Sequence, residues 1–124
     1  MKPTTRFLLG IALVAALASS GCGGDSTYTS GGPTACTAAT ATATNTVTMA
    51  GMAFSPSCIK VAAGTTVTFR NDDTTAHDVT ANDGSYQSAF LSPGQSYTRT
   101  YASAGTSAYH CSIHPSMVGT VIVQ

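Results

Sequence analysis

Charge is scarce in this 124-residue chain: five lysines and arginines face five acidic residues, all aspartate, and charged residues make up only 8% of the total. Two of the positive charges, Lys2 and Arg6, lie at the N-terminal extremity. Beyond residue 21, Lys60, Arg70 and Arg99 stand against Asp25, Asp72, Asp73, Asp78 and Asp83, a formal charge of about −2 with histidine neutral. There is no basic patch and no interleaving of basic with aromatic residues, which excludes nucleic acid as a partner. The longest apolar run, LLGIALVAALA (8–18), has eleven residues, too few for a membrane span. No helical periodicity persists beyond one turn. Histidine occurs three times, at His77, His110 and His114, too few for the clusters of a copper oxidase. A substrate-handling dyad is also missing, so no enzymatic activity is expected.

The positive start, the short apolar run and the small residues after it read as an export signal over 1–21. Within it, LASSGC (17–22) resembles the lipobox of bacterial lipoproteins, although Ser19 stands where leucine is usual. Lipidation of Cys22 is therefore expected, giving attachment by an N-terminal lipid and a place in the periplasm or at the outer cell surface; a soluble secreted form is the alternative. Residues 22–45 are glycine, serine, threonine and alanine with almost nothing bulky, which predicts a flexible tether. A degenerate first strand in its second half is the other reading. Cys36 and Cys58 are expected to pair in an oxidising compartment, closing a loop worth roughly 3–4 kcal/mol in the chain-entropy picture. Two independent thiols, or competition with Cys111, are the competing readings.

Residues 46–124 form the predicted domain. Short β-prone pieces recur at 46–50, 58–62, 65–71, 76–81, 95–101, 106–111 and 117–123, with at most a short strand within 85–94. Turn signals separate them: GMAFSPS, Ala63-Gly64, Asn82-Asp83-Gly84 and Pro93-Gly94. Seven to eight short strands predict an all-β antiparallel sandwich or barrel.

Around residues 109–123, YHCSIHPSMVGTVIV, the chemistry concentrates. Cys111, His114 and Met117 are each separated by two residues, and His77 lies 34 residues upstream of Cys111. One thiolate, two imidazoles and one thioether suit copper cycling between its two oxidation states. A tight loop over 112–116, favoured by Pro115, would let the three converge, with His77 arriving from a neighbouring strand. His110 alternates away from Cys111 and is expected at the surface. Asp78 is expected to point away from His77, Met49 into the core and Met52 to the surface.

VTFRNDDTTAHDV (67–79) together with YHCSIHPSMVGTVIV resembles the cupredoxins, the type 1 blue copper proteins, and the short His114–Met117 gap is similar to that of amicyanin. The resemblance implies a Greek-key β-sandwich and one-electron transfer outside the cytoplasm. One copper ion would be held by His77, Cys111, His114 and Met117. It further implies that Asn71 and Ser112 tie the two ligand-bearing segments together by hydrogen bonds. His114, Pro115, Met52 and Ala76 would form an apolar port where redox partner proteins dock, on a monomer. The alternative is a copper chaperone or storage module delivering metal to a cuproenzyme; a structural sandwich with a vestigial site is a third reading.

Overall fold

A computed structural model describes residues 35–124; the export signal, Cys22 and most of the predicted tether lie outside the described residues. Among the described residues nine strands form two sheets. They are β1 (Thr42–Ala43), β2 (Thr46–Ala50), β3 (Ala53–Ser55), β4 (Cys58–Val61), β5 (Thr65–Asn71), β6 (Thr80–Ala81), β7 (Ser96–Tyr101), β8 (Gly105–Cys111) and β9 (His114–Val123). One sheet runs β1-β4-β9-β8-β6, the other β3-β2-β5-β7. Both are mixed, with parallel pairings β1–β4, β4–β9 and β2–β5. From β4 to β8 the chain alternates between sheets, which stitches the two layers together. Among the described residues no helix is long and apolar enough to cross a membrane.

Period-two alternation directs one face of each strand inward. Val47 and Met49, Val67 and Phe69, Tyr109 and Cys111, and Val121 and Val123 are all buried. Tyr109 joins the layers, meeting Phe54 and Phe69 edge-on at centroid distances of 4.8 and 5.2 Å. Gly119 lies opposite Tyr109 in the β8–β9 ladder, and a Cβ there would overlap the tyrosine ring.

The sheets begin earlier than the expected boundary at residue 46. Ala41 is buried, β1 pairs with β4, the Lys60 ammonium donates to the Ala38 carbonyl, and Cys36 and Cys58 form a disulfide. The cross-link and the ladder hold a segment that its own side chains could not. GMAFSPS, read as a connector, contains β3, paired with β2 through a two-residue turn in which Gly51 and Met52 have φ of 59° and 62°. That geometry suits a hairpin but is strained for methionine. The strand expected over 76–81 shrinks to β6 and a single bridge between His77 and Leu91.

Candidate metal centre

Cys111 ends β8 and His114 begins β9 as its direct partner across a two-residue turn, Ser112-Ile113. The next pairing is His110 with Val118, so Pro115, Ser116 and Met117 have no counterparts on β8. This bulge, rather than the expected loop over 112–116, brings the three donors to one end of the hairpin. Cys111 and Met117 are buried and His114 is half-buried.

His77 arrives on an irregular segment fixed by side chains. Asn71, buried at the end of β5, donates from Nδ2 to the carbonyls of Thr75 (2.8 Å) and Leu91 (2.7 Å) and accepts the Asp73 amide at Oδ1 (2.9 Å). The His77 amide donates to the Leu91 carbonyl, and the Leu91 amide returns the bond. Behind the ring, Nε2 of His77 faces Asp73 Oδ2 at 3.2 Å and Thr75 Oγ1 at 3.3 Å. Amides of Met52 and Thr74, together with His77, hold the Asp73 carboxyl below its usual pKa.

The two segments converge on one point. Nδ1 of His77 lies 3.0 Å from Nδ1 of His114, and Cys111 Sγ is 3.8 and 3.6 Å from them. Two imidazole lone pairs at that separation repel unless a proton or a metal ion lies between them. The point equidistant from all three atoms is about 2 Å from each, the length of a bond between an imidazole nitrogen and a first-row metal. Among the described residues these three are the one cluster of histidine, cysteine or acidic groups able to hold an ion. A His2Cys set with a methionine on the same hairpin fits copper. Burial raises the pKa of the Cys111 thiol, and the amides of Asp78, Ile113 and His114 oppose that rise. A bound cation would favour the thiolate further.

The tie between the segments uses Ser112 as expected, but its partner is not Asn71. The Asn71 side chain makes no hydrogen bond to Ser112; its partners all lie in the His77 segment or at Leu91. Asp78 makes the connection instead. Its Oδ1 accepts the Ser112 amide at 2.6 Å, and Oδ2 accepts the hydroxyls of Ser112 (2.7 Å) and Thr80 (2.8 Å). Burial disfavours its charge, but these donors outweigh burial and hold its pKa at about 2. Sequence reasoning expects only that Asp78 points away from His77; its place directly after that histidine, on the opposite face, is the available signal. His110 pairs its Nδ1 with Asn82 Oδ1 at 2.7 Å and stays outside the cluster. At the surface, Met52 and Ile113 are about half exposed, Pro115 is exposed and Ala76 half-buried. Ile113, unnoticed in the sequence, adjoins His114. Met52 lies beside the other segment, its sulfur 3.8 Å from Thr75 Oγ1.

Residues 10–123 match the family described as the cupredoxin-like domain. The chain is a cupredoxin. It is 31% identical to amicyanin from Paracoccus denitrificans over 83 residues, 63% of each chain, so it spans less than two thirds of that relative. It is 30% identical to plastocyanin from Scenedesmus fuscus over 59% of this chain and 88% of the relative. A purple cupredoxin from Nitrosopumilus maritimus superposes with a TM-score of 0.61 at 26% identity, covering 65% of this chain and all of that one. A copper-containing nitrite reductase from Thermus scotoductus does so at 0.60 and 33%, covering 64% of this cupredoxin and 22% of the reductase.

Proposed function

We propose that this cupredoxin is a one-electron carrier whose type 1 copper would be held by His77, Cys111, His114 and Met117. The observation carrying this reading is the donor triangle, assembled from two segments whose polar groups are bonded to each other. Copper would supply the redox couple; the chain supplies the donors and the bonded network that positions them. Cys111 offers the covalent thiolate, and the half-buried His114 offers an edge toward solvent. Amicyanin variants in an oxidised state and in a Cu(I) form are structural neighbours at 31% identity, which supports cycling between the two states.

The working location is outside the cytoplasm, a reading supported by the Cys36–Cys58 disulfide. Lipid attachment at Cys22 would hold the domain at a membrane surface. Redox partner proteins would dock at the apolar end around His114, Pro115, Met52 and Ala76, to which Ile113 is added. The test is optical and electrochemical. Copper(II) added to the purified protein should give an intense thiolate charge-transfer band and a reversible couple. A colourless, tightly held Cu(I) protein that resists reoxidation would instead favour copper delivery.

A further inference from the structure

The carboxylate of Asp73 stands directly behind the inner histidine. Its Oδ2 faces His77 Nε2 at 3.2 Å and also accepts the Met52 amide at 2.9 Å. Its other oxygen accepts the Thr74 amide at 2.8 Å. The Met52 amide reaches it from the β2–β3 turn, where Met52 holds a positive φ of 62° that a non-glycine residue rarely adopts. Three anchors thus fix one carboxylate: the hairpin turn, the following amide and the Asn71 bond to the Asp73 amide. Asp73 is also shielded, its side chain 14% exposed, and His77 is fully buried. A carboxylate that accepts the outer N–H of an imidazole sets the tautomer, leaves the inner nitrogen free for a metal, and makes that nitrogen a stronger donor.

We infer that Asp73 is a positioning residue for His77: it holds the proton on Nε2, aims Nδ1 at the copper, and biases the site toward Cu(II). The inference rests on the copper reading for its redox part only. The negative charge and the more basic imidazole both stabilise the higher oxidation state, so Asp73 lowers the reduction potential. His114 has no matching carboxylate bonded to its ring among the described residues, so the two histidines are electronically unequal.

The test pairs two charge-neutralising substitutions in the full chain. Asp73→Asn keeps an oxygen for the Met52 amide but removes the carboxylate from His77. Asp72→Asn removes the same charge one residue away, where the carboxylate pairs with Arg70 Nε at 2.6 Å and not with His77. Asp73→Asn is expected to weaken Cu(II) affinity roughly 10- to 100-fold, to affect Cu(I) less, and so to raise the midpoint potential. Asp72→Asn should shift the potential distinctly less; equal shifts would reduce Asp73 to a generic surface charge and overturn the inference. A second readout needs no copper: long-range nitrogen–proton NMR of the metal-free wild type should show the His77 proton on Nε2. A proton on Nδ1 would overturn the inference even if Asp73→Asn folds poorly. A wild type that shows the Nε2 proton but binds no copper would refute the copper reading and leave the positioning role standing.

Discussion

Two segments build the metal centre by opposite means. The β8–β9 hairpin positions Cys111, His114 and Met117 through backbone pairing, with a two-residue turn at its tip and three unmatched residues below it. The His77 segment has only isolated bridges, His77–Leu91 and Thr80–Gln87, and is otherwise held largely by the side chains of Asn71, Asp73, Asp78 and Ser88. A ladder tolerates side-chain exchange because its bonds belong to the backbone. A buried polar network does not: deleting one member leaves its partners desolvated and unpaired. Precision on the second side is therefore concentrated in a few replaceable groups.

The contrast can be broken most completely at Cys111. Cys111→Ser should abolish the charge-transfer band while far-UV circular dichroism stays native; a surviving band would refute the ligand assignment. Next is Asp78→Ala, which strands the Ser112 amide and should cost about 3 kcal/mol in denaturant titration and broaden the copper spectrum. A spectrum as sharp as wild type would mean that the hairpin alone sets the geometry. Replacing Cys36 and Cys58 together by serine should cost a comparable amount, about 3 kcal/mol, yet leave the absorption band in place. Asn71→Ala should destabilise by about 1–3 kcal/mol and lower copper affinity, since the Thr75 carbonyl loses its donor. The smallest effect is expected at Ile113: Ile113→Ser should change stability by no more than about 0.5 kcal/mol and leave the band unaltered. It should nevertheless slow electron exchange with a redox partner, measured by stopped-flow, if the apolar end is the docking surface.

The same contrast explains what could be read from sequence. Val67 and Phe69 alternate with Thr68 and Arg70, and Tyr109 and Cys111 flank His110, so the strands bearing them were legible from period two alone. The spacing of Cys111, His114 and Met117 was equally legible, because backbone pairing converts spacing directly into position. The His77 segment was not. Asn71 and Asp78 both flank His77 in sequence, and their order along the chain does not tell which of them bonds Ser112. β3 was hidden because its turn places a methionine at positive φ, which no turn rule anticipates. β1 carries too little apolar surface to announce itself and is joined to the sheet beside the Cys36–Cys58 cross-link.

The unmatched residues of β9 have a consequence for how such a site can change. The ladder closes at Cys111–His114 and resumes at His110–Val118, so Pro115, Ser116 and Met117 stand without partners on β8 between two paired rungs. No rung of the ladder that carries Tyr109 and Val121 depends on Pro115 or Ser116. Pro115 and Ser116, both exposed, are thus the places where this stretch is open to redesign, whereas Met117 is tied to the core by its own burial.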